Sequence, residues 1–459
     1  MGSTVQFLLL LLTLGRLLTP LGGVPVPVLS IQSADGDMID CIKREEQVAF
    51  THPLLKDHII QERPTVIPSA GKKEEDALYG WQVWHQNGTK CPEGSIPVRR
   101  LISHENETVI SSNAGDRVTG GHEYAIGRMY NREQKIYGTQ ATMNVWQPKV
   151  ETYDEFSLGQ LWLVSGTYED SNINSIEAGW QVYPKIYYDY QPRFFIYWTS
   201  DAYNLTGCYN LRCGGLVQTS RAIVVEGAIS PTSVVGGTQV ELTVKIWKDQ
   251  RLGSWWMGVG LGHVGVLEPV GYWPAFLFNL QTDYAARVEW GGEITNKHTY
   301  GRHTTTQMGS GYLPDSGFGK AAYICNIEVA LSENDFQPLQ NLTVGGSHPD
   351  YYGAKKSNNP ELGTHFYYGG PEQLYPGHAT AIHLTWDSSL LYLSRQGFRR
   401  PDRFGTTRDP SSGTATPFCH GVTPSQRPHG TITRGAAHDT FEAQLTVWRT
   451  ARTRLTARQ

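Results

Sequence analysis

The chain has 459 residues, too many for one ordinary compact domain. Its composition, 39% hydrophobic and 18% charged, excludes a wholly disordered chain and a coiled coil, and its net charge of −4 offers no basic field to nucleic acid. Forty-nine Gly, 25 Pro, 24 Tyr and 13 Trp favour turns and strands over helices.

The chain opens on an apolar run, Phe7–Leu12, extended by Leu14, Leu17, Leu18 and Leu21 and closed by Gly22 and Gly23. That pattern predicts a cleavable secretory signal over residues 1–23. No later stretch is long and apolar enough to span a membrane, so no membrane is expected around the mature chain. Sequons at Asn87, Asn106, Asn204 and Asn341 are candidate glycan sites in a secreted protein. Six cysteines stand at Cys41, Cys91, Cys208, Cys213, Cys325 and Cys419 with no zinc-site spacing, so no metal site is expected. Cys208 and Cys213 flank a short turn that a disulfide between them would close.

Residues 24–130 read as a small mixed unit. Glu45–Gln61 places Ala49, Phe50, Leu54, Leu55, Ile59 and Ile60 on one helical face, and Pro53 kinks it or splits it into two short pieces. Asp76–Arg100 predicts one or two strands. Residues 111–136 are Gly-rich and polar, a linker or processing zone.

From Gly138 onward short alternating runs recur between Gly, Pro and Asp. They are Thr142–Trp146, Gln160–Ser165, Ile176–Tyr183, Phe194–Trp198, Leu216–Gln218, Ala222–Glu226, Gln239–Trp247, Ser254–Leu261, Arg287–Trp290 and Ala321–Val329. Strands at this spacing, without long amphipathic helices between them, predict a mainly β protein built as an antiparallel β-sandwich over residues 131–371. A parallel α/β sheet is the competing arrangement. Beyond Pro371 alternation stops: the last stretch carries eleven Arg and no Lys among many Thr, Ser and Pro. Residues 372–459 therefore read as a disordered tail rather than a basic arm for an acidic partner.

The chain has no Gly-x-Ser-x-Gly, no His-Glu-x-x-His and no phosphate-cradling Gly-rich loop ending in Lys-Ser/Thr. Two glutamate settings stand out. In Ser175–Pro184, alternation puts Ile176, Ala178, Trp180 and Val182 on a core face and Glu177, Gly179, Gln181 and Tyr183 on the other. In Arg287–Thr295, Val288, Trp290 and Ile294 oppose Arg287, Glu289, Gly291, Glu293 and Thr295, with the Gly pair marking a bulge. Two carboxyls brought together on a sheet divide labour between an ionised base and a protonated acid, which favours work at acid pH. A lone strand glutamate is more often a solvated edge charge, so pattern alone does not select the pair.

The chain resembles the neprosin family of plant secreted proteins through a series of pieces in order. They are Asp40-Cys-Ile, Gln47-Val-Ala-Phe-Thr-His-Pro-Leu-Leu-Lys-Asp-His58, Cys91-Pro-Glu-Gly-Ser-Ile-Pro-Val-Arg-Arg100, Glu177-Ala-Gly-Trp-Gln-Val, Phe195-Ile-Tyr-Trp-Thr-Ser-Asp201, Thr206-Gly-Cys-Tyr-Asn210, Gly271-Tyr-Trp-Pro-Ala-Phe-Leu-Phe278, Trp290-Gly-Gly-Glu293 and Tyr367-Tyr-Gly-Gly-Pro371. The resemblance implies a zymogen: a signal, an activation peptide over 24–130 and a catalytic β-sandwich over 131–371. The characterised type is a glutamic endopeptidase that cuts after proline in acid, without metal or cofactor. It acts on a Pro-containing peptide or protein outside the cell, in the wall or apoplast, or in the vacuole.

Its catalytic glutamates fall on Glu177 and Glu293, the latter chosen over Glu289 by the Trp-Gly-Gly-Glu motif. On the same reading Gln181 is a candidate oxyanion donor, and Tyr183 and Tyr197 are candidate walls of a proline slot. Cys41 would pair with Cys91 inside the activation peptide. Asp350-Tyr-Tyr stands where the family has a late Cys-Tyr, which leaves Cys325 and Cys419 without family partners. The competing function is a non-catalytic secreted β-sandwich whose aromatic cleft binds a wall polysaccharide or a Pro-rich protein.

Overall fold

The structure, a computed structural model, describes residues 25–68, 80–101, 121–130, 134–262, 267–298 and 301–371. The predicted signal, Asn106, Cys419 and the Arg-rich segment 372–459 lie outside the described residues. Strands dominate. A small sheet holds β1 (Leu29–Gln32), β2 (Met38–Lys43) and β3 (Ser95–Arg99). The remaining strands are β4 (Gly121–Tyr130), β5 (Gly138–Asn144), β6 (Ser157–Ser165), β7 (Asn174–Val182), β8 (Arg193–Thr199), β9 (Cys208–Tyr209), β10 (Val217–Gln218), β11 (Glu241–Asp249), β12 (Ser254–Leu261), β13 (Glu268–Pro274), β14 (Arg287–Asn296), β15 (Ala322–Ala330), β16 (Phe336–Pro338), β17 (Thr343–Gly346), β18 (Gly353–Lys356) and β19 (Phe366–Gly369). They form two large antiparallel sheets, one ordered β17-β4-β14-β6-β7-β8-β9 and the other β10-β13-β12-β11-β5-β15-β19-β18, with β16 beside β15.

Alternation decides how the sheets meet. Leu161, Ile176, Trp180, Ile196 and Trp290 from the first sheet share one buried apolar cluster with Met143, Val244, Ile246, Val259 and Ile324 from the second. The sheets therefore pack face to face, as the alternating pattern predicts. Two indoles tie them together: Trp180 Nε1 donates to the Asn144 carbonyl (3.1 Å) and Trp290 Nε1 to Thr139 Oγ1 (3.1 Å).

The first unit departs from its sequence reading. Glu45–Gln61 forms three short 3-10 turns, Arg44–Glu46, Val48–Thr51 and Pro53–Leu55, rather than helical pieces. Gln47 and His52 between the turns are extended, His52 because the residue before a proline disfavours the helical region. Gln47 then clasps the second sheet: its Oε1 accepts from the Gln218 N–H (2.7 Å) and its Nε2 donates to the Gln218 carbonyl (3.2 Å). Asp76–Arg100 holds one strand, β3, and a 3-10 turn at Val83–His85 among its described residues.

The boundary placed at residue 130 is also corrected. Gly121–Tyr130 pairs with β14 along its whole length, so the sandwich begins at or before Gly121. The strand was hidden in a stretch whose glycines read as a linker. Ala222–Glu226 is irregular rather than a strand. The Gly291–Gly292 pair makes no bulge, since β14 keeps continuous register with both neighbours.

The described part of the first unit packs on the outside of the second sheet and around one end of the first. The Tyr272 hydroxyl meets His58 Nε2 (2.9 Å) and accepts from the Gln61 N–H (2.8 Å), and Lys245 Nζ donates to the Pro68 carbonyl (3.3 Å). Disulfides join Cys41 to Cys91 and Cys208 to Cys213. Cys325, expected to lack its family partner, is disulfide-bonded too. Asn87, Asn204 and Asn341 are exposed. No helix among the described residues is long and apolar enough to cross a membrane.

Candidate active site

Three central strands of the first sheet supply the site. Across β7, β6 and β14, Glu177, Trp162 and Glu289 form one row; Gly179, Gln160 and Gly291 form the next; Gln181, Leu158 and Glu293 form the third. All nine face away from the inter-sheet core, because they alternate with the buried residues that build it. Glu177 and Glu293 therefore occupy opposite corners of the grid. The middle row has room for one side chain only. A Cβ at Gly179 would fall 2.1 Å from the Gly159 carbonyl oxygen, and one at Gly291 would fall 2.3 Å from that of Ala125. Gly291 also holds φ at +144°, which other residues rarely adopt. Gln160 alone thus stands between the two carboxylates.

Glu177 is buried, 6% exposed, and its charge is met by neutral donors. Ser175 Oγ (2.7 Å) and the Tyr203 hydroxyl (2.8 Å) donate to one oxygen, and Gln160 Nε2 (3.2 Å) donates to the other. Burial pushes its pKa from an ordinary 4.5 up to about 7, and the charge of Glu293 adds to that rise against the pull of the hydrogen bonds. Glu177 is thus protonated through the acid range.

Glu293 is equally buried, and its Oε1 is hydrogen-bonded to Nδ1 of His122 on β4. Its neighbour in sequence pattern, Glu289, is placed differently. Arg128 and Arg287 lie 3.7 and 3.9 Å from its carboxylate, so two guanidiniums compensate it. Geometry now separates the two glutamates that alternation could not.

An aromatic wall lines this face beside Glu177. Tyr197 is directly cross-strand from it, with Tyr203 at 5.7 Å and Tyr209 at 4.6 Å between ring centroids, and Tyr168 stacks on Tyr203 at 6.2 Å. With Phe195, Trp162 and Ile126 these rings belong to an apolar cluster separate from the inter-sheet core. The expected wall residue Tyr197 is in this group and partly exposed. Tyr183 is fully buried against Phe156 (5.3 Å), and its contact with the group is Tyr209 at 6.5 Å. Gln181 lies on the expected face, with Oε1 accepting from the Tyr187 hydroxyl (3.0 Å) and Nε2 buried without a partner.

Two site residues escaped the sequence reading. Gln160 was visible in principle: alternation in Ser157–Ser165 puts it between Leu158 and Trp162, a lone amide on an apolar strand. His122 fell inside the stretch taken for a linker, and nothing in its local pattern marks it.

The neprosin family profile matches residues 153–371 and the neprosin activation peptide profile matches residues 30–116, together about two thirds of the chain. Among solved structures, a scytalido-glutamic peptidase with a peptide-based transition state analog is 12% identical, covering 54% of this chain and 97% of that one at a TM-score of 0.30. SCP-B, a member of the eqolisin family of peptidases in complex with the tripeptide Ala-Ile-His, is 11% identical, covering 54% of this chain and 97% of that one at a TM-score of 0.27. On the two family matches, the chain belongs to the neprosin family and is a glutamic-type peptidase carrying its activation peptide.

Proposed function

We propose that the protein is a secreted endopeptidase that cleaves after proline in acid, with Glu177 as general acid and Glu293 as general base. The observation that carries this reading is the setting of Glu177, a buried carboxyl met by three neutral donors on the sheet face that also carries the buried Glu293. Such a group holds a proton where an ordinary carboxylate has lost it.

The step is a direct hydrolysis. Glu293 takes a proton from water, whose oxygen attacks the scissile carbonyl carbon. Glu177 gives its proton to the scissile nitrogen, the C–N bond breaks, and the carbonyl is restored in the new carboxyl. Gln160 accommodates both states of Glu177. Its Oε1 is buried without a partner while its Nε2 donates to the carboxylate. Turning the amide over lets Oε1 accept the proton of the neutral acid and turns Nε2 toward the carbonyl oxygen where negative charge develops. Gln181 Nε2 is the second candidate donor.

The wall of Tyr168, Tyr197, Tyr203 and Tyr209 suits a proline ring, which is compact, apolar and without an amide N–H to satisfy. Disulfides within both units fit an oxidising compartment outside the cytosol.

The test incubates the recombinant protein, freed of its activation peptide, with a Pro-containing peptide and its Pro→Ala twin in acid, and reads products by mass spectrometry. Cleavage after proline alone, lost in Glu177→Gln and in Glu293→Gln, is the expected result. Cleavage that persists in either variant overturns the dyad. Peptide binding without products, unchanged in both variants, establishes instead a non-catalytic module that uses the same aromatic wall.

A further inference from the structure

Glu123, the residue after His122, projects to the other face of β4 and meets two histidines there. Its carboxylate is 2% exposed, and its oxygens accept from Asn296 Nδ2 (2.8 Å) and lie 3.0 Å from Nδ1 of His303. Among the described residues, His303 is its one ion-pair partner, and no Lys or Arg neutralises it. His348 completes the group: one ligand atom each from Glu123, His303 and His348 lies within 4.8 Å of the others. The three come from separate parts of the chain, namely β4, the segment after β14 and the turn after β17.

We propose that these three residues form a binding site for a divalent transition ion of the Zn²⁺ type, independent of the Glu177–Glu293 chemistry. Zn²⁺ holds nitrogen and carboxylate oxygen at roughly 2.0–2.2 Å, so two tetrahedral ligands stand about 3.4 Å apart. The oxygen–nitrogen pair of Glu123 and His303 is already within a few tenths of an ångström of that spacing. The ion takes the place of the proton they share. His348 reaches it by a side-chain rotation, since its backbone is fixed by the Tyr351 and Tyr352 N–H groups donating to its carbonyl (2.9 and 2.7 Å).

The groups behind the ligands are those a metal site needs. Asn296 orients the carboxylate from β14, and Tyr351 stacks on His303 at 3.7 Å between centroids with an interplanar angle of 21°. Both histidines are partly exposed, which gives the ion a path in and leaves a fourth position to water. Two imidazoles with one carboxylate select a borderline transition ion over Ca²⁺ or Mg²⁺, which require oxygen ligands. A bound ion joins β4 and the segment after β14 to the turn after β17, beside the strand that carries Glu293. It adds rigidity there rather than chemistry.

The test titrates the full chain with Zn²⁺ alone at neutral pH by calorimetry, and with Co²⁺ for its visible ligand-field bands. One equivalent is expected to bind, to raise the thermal midpoint and to give the intense bands of a four-coordinate Co²⁺ site. His348→Asn, which leaves the Glu123–His303 pair in place, is expected to weaken binding at least about tenfold, as the loss of even an outer partner does. His303→Gln is expected to abolish it. No saturable binding to the folded wild-type chain overturns the proposal. So does binding of equal affinity in both variants, which would place the ion on other histidines.

Discussion

Carboxylates gather at two places on the first sheet, and Glu177 at one is shifted in the opposite direction to Asp37 and Glu226 at the other. At the dyad, Glu177 is buried among neutral donors with a second carboxylate near it, and its pKa rises to about 7. At the end of the same sheet, Asp37 of the activation peptide is held by Arg193 (2.6 and 3.2 Å) and Arg99 (2.9 Å). Glu226 there is held by Arg212 (2.7 and 3.2 Å), Arg99 (3.4 Å) and Asn210 (2.9 Å). Burial alone would raise both acids, yet the arginines overcome it and hold both below the ordinary carboxylate range. Burial sets the size of the stake, and the nearby cations set its sign. One cluster is built to carry a proton and the other to refuse it.

The largest expected effect breaks the dyad itself. Glu177→Gln and Glu293→Gln each remove one proton-transfer group and should lower kcat by roughly 10²–10⁴-fold, read with a Pro-containing peptide. Asp37→Asn should leave kcat of the activated enzyme unchanged. An activity loss confined to the Asp37 variant would reverse the roles assigned to the two clusters.

A second effect has the opposite sign to most active-site mutations. Because the folded pKa of Glu177 lies above its ordinary value, its contribution to stability is complete below about pH 4.5. That contribution is lost as pH rises through about 7. Gln mimics the neutral acid at every pH. Glu177→Gln should therefore match the wild type in acid and exceed its stability at neutral pH by a few kcal/mol, on the order of 3. Urea unfolding at both pH values measures it. Equal stability at neutral pH would mean that the carboxyl is not destabilised by its setting.

The strands of the sandwich were legible because most bury one face, and alternation then writes the pattern into the sequence. Ser254–Leu261 was read to the residue, and Ile176–Tyr183 and Phe194–Trp198 to within two. The face carrying Glu177 and Gln181 followed from the same alternation. What was not legible depends on contacts distant in sequence. Gly121–Tyr130 looks like a linker until β14 is beside it, and with it His122 and Glu123 stayed out of sight. Glu45–Gln61 has a helical spacing of apolar residues, but Ala49 and Leu55 are buried by docking from short turns. Alternation alone could not tell Glu289 from Glu293; the motif chose Glu293, and the fold adds Arg128 of β4 to the Arg287 that already shares a strand face with Glu289.

The smallest effect concerns the junction of activation peptide and sandwich. Asp37→Asn removes one carboxylate from Arg193 and Arg99, each of which keeps another, Asp189 and Glu226 respectively. The loss should therefore fall below the 3–5 kcal/mol of a fully orphaned buried charge, at about 2 kcal/mol. It should appear as faster proteolysis of the activation peptide at neutral pH. Lys43→Ala, which breaks the exposed pair with Glu46, should change that rate little and serves as the control. The pH dependence follows from the direction of the Asp37 shift. A lowered carboxylate contributes its stability in full above its unfolded pKa near 3.8, and loses it as pH falls through the folded value below that. Glu177, by contrast, has taken up its proton by about pH 7 on the way down. On acidification Glu177 is thus protonated first, and the grip of Asp37 on the two arginines is released last. In the wild type, loosening of the activation peptide should set in below the ordinary Asp range, and in Asp37→Asn this pH dependence should flatten. Loosening of the wild type at mildly acidic pH, with the variant following the same curve, would show that other groups hold the peptide in place.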